Sequence, residues 1–470
     1  MKRNSKRRLI LSMVTVMIGL AFILTLSGEV VANYSVSAMM QPMNTPGPDS
    51  RLLIIAPHPD DETLGAGMLI KKTLANGGQV KVILMTNGDA YSVAAHLDLP
   101  KVKLTSKDYI DFGYQRQKES LNALKMLGVS EVNVIFLGYP DGGLAPLWSA
   151  NWETAKPNTS AHTLMDQSPY SNSFQRSTLY CGQSVVNDLT KIITDYRPTD
   201  IIMPHPNDRH PDHWATNAFV KYTLTVMNYD SRNVWLYLVH RGLWPAPEAS
   251  HTTSRELTPP AKLLETGTQW YTFTLTASEA NWKRETLKKY TSQLKTLGYQ
   301  MSCFAKRSEL FGQYADTTLV RGLHADSEIT PNAVNEIIRD PAQDKIVLNL
   351  DKGADLLTVH AEISKEGHLH LILQTDKPID PLSEYHFNLV VIKNETSAHF
   401  TFMVKGNKVR VLKPSNTDII LSGFRTHSMG NDLELTLPSS SLGQFNHLFI
   451  DAESFFNHVR TDKTAWRMLD

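Results

Sequence analysis

The chain has 470 residues, 41% of them apolar and 20% charged, ordinary values for a folded protein with room for more than one core. Lysine plus arginine equals aspartate plus glutamate at 47 each, so no global field draws the chain to nucleic acid, and no nucleic-acid partner is expected. The two cysteines, Cys181 and Cys303, exclude a disulfide framework and a zinc ribbon and read as inert buried thiols.

Taken in chain order, residues 1–38 stand apart. A basic head (Lys2, Arg3, Lys6, Arg7, Arg8) precedes an apolar run from Leu9 to Leu26, and small residues follow around Ala32 and Ala38. That order describes a secretory signal peptide, and the apolar run is also long enough for an uncleaved membrane anchor. Both readings put the rest of the chain outside the cytoplasm, with the membrane touched only through this segment. Residues 39–50, carrying Pro42, Pro46 and Pro48, read as a linker without regular structure.

Buried β-type runs then alternate with helical patterns. Strands are expected over residues 51–56, 79–86, 131–137, 200–203 and 234–239, and helices over 62–75, 109–127, 182–196 and 212–227. Continuous Val/Ile/Leu strands separated by amphipathic helices point to an α/β fold, a Rossmann-like and mostly parallel sheet covered on both faces. Between Pro140 and Cys181 lies a long polar insertion containing Trp148, Trp152, Tyr170 and Phe174, open to two readings: a lid, or a surface excursion whose aromatics pack onto the domain. From residue 344 the texture changes. Leu369, Leu371 and Leu373 alternate with other residues, as do Leu433, Leu435 and Leu437, which suggests a smaller all-β, sandwich-like domain. The expected division is 51–325 for the first domain and 340–470 for the second. Trp466 and Phe445 could be sugar-stacking platforms of a wall- or carbohydrate-binding module, or core aromatics of a structural one.

Two polar clusters carry the chemistry. The first strand runs into Pro57-His58-Pro59-Asp60-Asp61-Glu62, and a later one into Pro204-His205-Pro206-Asn207-Asp208-Arg209-His210-Pro211-Asp212-His213; a helix follows each. Both clusters therefore sit at the carboxyl edge of the sheet, where ligands bind in open α/β folds. His-Pro-Asp alone is a turn-forming sequence. Its recurrence behind two buried strands sets it apart. Imidazole and carboxylate are ordinary zinc ligands, and a catalytic zinc keeps three of them plus water. His58 and Asp61 can reach one ion across a turn, and His213 would complete the set. Adjacent Asp60 and Asp61 cannot project the same way, so one can bind while the other accepts a proton from water. His240, Asp89 and Asp141 also end strands; His240 reads equally as a core histidine, and Asp89 and Asp141 as turn formers or as partners of sugar hydroxyls. Lys306 and Glu309 read as a structural ion pair.

These residues resemble the PIG-L/LmbE-type deacetylases. His58-Pro59-Asp60-Asp61-Glu62 and His210-Pro211-Asp212-His213 are similar to the two signature motifs of that family, with Asn87-Gly88-Asp89, Arg116-Gln117-Lys118-Glu119 and Tyr139-Pro140-Asp141-Gly142 in support. The resemblance covers roughly residues 50–320. It implies a zinc-dependent N-deacetylase acting on an N-acetylglucosamine-type sugar or glycoconjugate, with Zn2+ on His58, Asp61 and His213. It further implies Asp60 as general base, His210 on the oxyanion or leaving amine, Asp212 orienting His210 and raising its pKa, and Arg116 binding substrate. Two other readings stay open: a two-metal phosphoesterase, for which His205 and Asp208 are the spare ligands, and a non-catalytic carbohydrate-binding surface protein.

Overall fold

The computed structural model describes residue 36 and residues 39–99, 101–245, 255–344, 353–394, 396–412 and 422–470. The signal-like segment, Val36 apart, lies outside the described residues. Among the described residues, no helix is long and apolar enough to cross a membrane.

The first domain is built on an eight-stranded sheet. Its strands are β1 (Gln41–Pro42), β2 (Arg51–Ala56), β3 (Gln79–Thr86), β4 (Val134–Tyr139), β5 (Asp200–Pro204), β6 (Asn233–Tyr237), β7 (Gln269–Thr274) and β8 (Ser308–Gln313). They lie in the order β1-β7-β8-β6-β5-β2-β3-β4. The five strands from β4 to β6 are mutually parallel, and their apolar runs are covered by helices α1 (Asp61–Ala75), α2 (Ser92–Asp98), α3 (Ser106–Leu127), α4 (Leu144–Trp148), α5 (Gly182–Tyr196), α6 (Pro211–Val226), α7 (Ala277–Leu287) and α8 (Thr291–Ser302). The chain lays β3 and β4 on one side of β2, then crosses to place β5 and β6 on the other. Loops leaving β2 and β5 therefore diverge, and a crevice opens between them. Both histidine clusters follow those two strands.

Three expectations need correction. The sheet does not close at β6: β8 and β7 continue it antiparallel, and residues 41–42 of the supposed linker pair with β7 as an edge strand, burying Met40 and Met43. A two-residue strand ending in proline is tolerated at an edge, where the missing N–H faces outward. Helix α3 starts at Ser106 rather than 109, because Thr105 and Asp108 form a reciprocal capping box. Glu309 pairs with Lys283 at 2.7 Å, not with Lys306, and also accepts the main-chain N–H groups of Met68 and Leu69.

The second domain is a sandwich of two six-stranded sheets. One contains β9 (Val320–Arg321), β10 (Glu336–Arg339), β11 (Leu356–Ile363), β12 (His368–Thr375), β16 (Arg425–Met429) and β17 (Asp432–Pro438). The other contains β13 (Glu384–Lys393), β14 (Thr396–Lys405), β15 (Lys408–Leu412), β18 (His447–Phe456), β19 (Val459–Lys463) and β20 (Arg467–Leu469). The alternating leucines face one another in register, Leu369 with Leu437, Leu371 with Leu435 and Leu373 with Leu433, and all six are buried in the core between the sheets. β9, at residues 320–321 of the span expected for the first domain, pairs with β11 of this sheet. Two residues of strand carry no periodic signal.

The insertion joins the domains. Trp148, fully buried, meets Phe219 of α6 at 5.2 Å between ring centroids, and Phe449 and Trp466 of the β domain at 5.5 and 5.4 Å. Trp466 is thus an interface aromatic rather than a stacking platform. Phe445 is half-buried, with the Arg321 guanidinium over its ring. Replacing Trp148 with alanine should leave a cavity between the domains and cost about 3–5 kcal/mol, read as a lowered denaturation midpoint.

Candidate active site

The turn after β2 is strained. Asp60 has φ 136° and ψ −30°, a conformation that non-glycine residues adopt only when their surroundings enforce it. Here Glu62 Oε2 accepts the Asp60 N–H at 2.9 Å, and Asp60 C=O accepts from Thr63 and Leu64 at 3.0 and 2.9 Å. Arg116 ties the turn down, donating to Pro59 C=O and Gly88 C=O at 2.8 Å each. The twist separates the neighbouring acids: the Asp60 carboxylate lies 3.3 Å from Arg116 Nη2, whereas Asp61 turns toward the histidines. Burial pushes the Asp60 carboxyl up to about 8; Arg116 opposes this, and Asp61 and Glu62 add to it.

Asp61 Oδ2 stands 3.2 Å from His58 Nδ1 and 3.1 Å from His213 Nε2. Ligands about 2.0–2.1 Å from a tetrahedral zinc stand about 3.3 Å apart, so each pairing with Asp61 suits a shared ion. Among the described residues, the histidine-rich donor sets that close within 4.8 Å are His58–His210–His213 and Asp61–His213–His240, so the expected trio meets through Asp61 and His213 and not as one closed set. The outward nitrogens face carboxylates as well: His58 Nε2 lies 3.1 Å from Asp212 and 3.2 Å from Asp141, and His213 Nδ1 lies 3.2 Å from Asp208. Carboxylate–imidazole–metal wiring of this kind orients metal-ligating histidines. Asp61 Oδ1 and both His213 nitrogens are buried without a partner in hydrogen-bond geometry. Against the opposing effect of burial, Asp208 and Asp61 raise His213 to about 9, and Asp141, Asp212 and Asp61 raise His58 well above its usual value. The pocket thus calls for positive charge at the point where the donors converge, and the residues present fit a divalent metal.

His210 caps α6, and its Nδ1 accepts the Asp212 N–H at 3.2 Å. The Asp212 carboxylate does not orient the His210 ring, as expected from sequence; it accepts the N–H groups of Gly142 and Leu144 at 2.7 and 2.9 Å and faces His58. Those two donors, on the loop after β4, draw it across the crevice. Nor is His210 raised: burial, reinforced by His58 and His213, pulls it down to about 3. The ring is therefore neutral near pH 7, with its proton on Nε2.

A cavity of about 570 Å³ opens over these groups, lined by His58, Asp60, Arg116, Asp141, His210 and His240. Its far wall comes from Tyr91, from Asn158–His162 of the insertion, and from Gln293 and Leu297 of α8. The insertion's aromatics pack onto the domain, and its middle lines the cavity. Arg116 borders the cavity, but three of its contacts are to Pro59, Gly88 and Asp60, so it positions the turn rather than reaching for a ligand. Asp141 likewise spends its oxygens on His58 and the Ala90 N–H. Asp89 is held by the Tyr170 hydroxyl at 2.5 Å, away from the lining.

Comparison with known proteins follows the same segment. Residues 53–224 match the family model described as PIG-L, GlcNAc-PI de-N-acetylase. This segment is a PIG-L domain. A 1D-myo-inositol 2-acetamido-2-deoxy-alpha-D-glucopyranoside deacetylase of Kribbella flavida is 29% identical over 182 residues, 37% of this chain and 54% of that protein. The protein of the same name from Mycobacterium tuberculosis is 30% identical over 165 residues, 35% of this chain and 47% of its own. The chain thus spans about half the length of the curated relatives it matches. Among solved structures, the zinc-inhibited form of teicoplanin deacetylase Orf2 is 17% identical with a TM-score of 0.36, covering 56% of this chain and 97% of its own. An N,N'-diacetylchitobiose deacetylase from Pyrococcus horikoshii is 18% identical with a TM-score of 0.32, covering 56% of this chain and 82% of its own.

Within the first domain, sequence reasoning undervalued Asp208 and His240. Asp208 accepts the N–H groups of Val239, His240 and His210 at 3.0 Å while facing His213, and His240 lies 4.6 Å from the His213 ring. The signal available was their place: Asp208 lies inside the second cluster, and His240 follows the strand beside β5. The two spare ligands for a second ion are not at hand, since Asp208 is committed and His205 bonds Thr268 while stacked on Trp270. Gly88 holds φ +63°, and a Cβ there would fall 1.8 Å from Arg116 Nη1; Gly128, at φ +96°, offers ordinary contact with Leu74 at 3.5 Å. Gly88→Ala should cost about 3 kcal/mol or more, against about 1–2 for Gly128→Ala, when both are compared by equilibrium denaturation.

Proposed function

We propose that this protein is a zinc-dependent N-deacetylase that hydrolyses the acetamido group of an N-acetylglucosamine-type sugar or glycoconjugate. The observation that carries the reading is the divergence at Asp60-Asp61: one acid joins His58 and His213, and the other borders the cavity beside them. The names of the PIG-L relatives, deacetylases of an acetamido-glucopyranoside, support the substrate class. The basic and apolar N-terminal segment supports action outside the cytoplasm.

In this reading His58, Asp61 and His213 hold the zinc, which when bound supplies Lewis acidity toward the amide carbonyl and an acidified water. Asp60 takes the proton of the attacking water. Its carboxyl is raised by burial, and a bound cation would bring it back toward the range a base needs near neutral pH. His210, neutral and protonated on Nε2, offers a hydrogen bond to the developing oxyanion, a role that needs a donor and not a charge. Arg116 keeps the strained turn and its acid in place. Asp208, Asp141 and Asp212 fix the two imidazoles. For the β domain, the burial of Trp466 supports a structural role over wall binding.

Acetate release from N-acetylglucosamine monomers, oligomers and conjugates tests this. Asp60→Asn should lower turnover by ~10²–10⁴ while metal content stays at that of the wild type, and His213→Ala should lose both. Near-full activity in Asp60→Asn would refute the base assignment. Asp208→Asn should weaken metal affinity by about 10–100-fold, measured by competition with a chromogenic chelator.

A further inference from the structure

A second concentration of buried charge lies where the domains meet. Asp340 and Asp344 follow β10, and Asp462 lies on β19; they are 5%, 7% and 4% exposed, and one oxygen of each lies within 4.8 Å of the others. Asp355 adjoins them, its oxygens accepting the N–H groups of Gln343 and Asp344 at 2.6 and 3.2 Å. Asp462 accepts from Leu356 and Lys463 at 2.8 and 2.9 Å. Asp344 Oδ2 pairs with Arg241, and Arg209 stands 3.6 Å from it. Two further oxygens are left over. Asp340 Oδ2 and Asp344 Oδ1 are buried with no hydrogen-bond partner among the described residues.

Carboxylates taken from water without donors or cations are strongly unfavourable. Burial, reinforced by the neighbouring acids, pushes the Asp340 and Asp462 carboxyls well above their usual range. Lys463 answers the deficit only in part: it feels the Asp340 charge, but its ammonium is directed to Asp451. We propose that Asp340, Asp344 and Asp462 form a binding site for a hard divalent cation, Ca2+, with the unpartnered oxygens of Asp340 and Asp344 turned to the ion. The donors are all oxygen, which suits Ca2+ and not a nitrogen- or sulfur-seeking metal. Ligands of one Ca2+ bonded at 2.3–2.6 Å stand up to about 4.6–5.2 Å apart, a span that contains this cluster, and Ca2+ tolerates irregular oxygen ligation.

The site is wired to the catalytic loop. Arg241 donates to Asn207 C=O as well as to Asp344, and the Arg209 N–H donates to His240 C=O while its side chain reaches Asp344. A cation here fixes the Asp344 carboxylate that both arginines reach and, through it, bears on the loop that carries His210 and His213.

The test uses the full chain, loaded with zinc and dialysed free of calcium. Calorimetric titration with CaCl2 should show one Ca2+ per chain, and Tb3+ should bind competitively with luminescence sensitised by Trp214 and Trp466, whose rings lie against Lys463. Calcium should raise the unfolding temperature. Asp340→Asn and Asp462→Asn, each standing in for a protonated carboxyl and so expected to fold, should weaken calcium binding by ~10-fold or more with zinc content unchanged. His213→Ala should keep calcium binding. No calcium uptake by the wild type at millimolar concentration, or uptake equal in wild type and both aspartate variants, would overturn the proposal.

Discussion

Charge buried at the switch point of the sheet has to be balanced there, and most of the PIG-L domain is arranged around that constraint. Asp61, Asp141, Asp208 and Asp212 enclose His58 and His213 from both sides, in a pocket where each of these side chains is nearly or fully removed from water. No single pair is stable alone in such a place, since an unmatched carboxylate or imidazolium costs several kcal/mol. The set is stable because Asp141, Asp208 and Asp212 also accept main-chain N–H groups from other loops, while Asp61 accepts that of His58 within its own turn; together these bonds tie the loops that follow β3, β4, β5 and β6 to one another. The strained Asp60 turn is sustained by the same network through Glu62 and Arg116.

The strand and helix pattern was largely legible. Hydrophobic runs and periodicity are local properties, and those of β2, β3, β5, α1 and α5 match the observed bounds to within a residue or two. So was the meeting of His58, Asp61 and His213, because parallel topology brings the carboxyl ends of separated strands to one edge. What could not be read was direction. Asp212 lies two residues from His210 in sequence, yet its carboxylate answers Gly142, Leu144 and His58, groups that only the folded crevice brings near. The partner of Glu309 was missed for the same reason, since Lys283 lies 26 residues away. Short edge strands such as β1 and β9 escaped because two residues have no period.

Histidine chemistry follows from the same placement. An imidazole held between two acids is drawn positive, and one capped by a main-chain N–H beside two positive neighbours is held neutral. His213 and His210, three residues apart on one turn, are consequently shifted in opposite directions, His213 up to about 9 and His210 down to about 3. One segment thereby supplies both a site that demands a cation and a neutral donor beside it.

The insertion after β4 has a consequence for modularity. Its middle walls the cavity through Asn158–His162, while its first helix drives Trp148 into the aromatic seam with Phe449 and Trp466. The segment that carries the two histidine clusters is therefore not a portable unit. Severed at the boundary suggested by family similarity, it would expose the faces of that seam and loosen the wall of its own pocket. The seam thus makes the sandwich a supporting wall of the domain it follows, and a change of size on one side of it has to be met on the other.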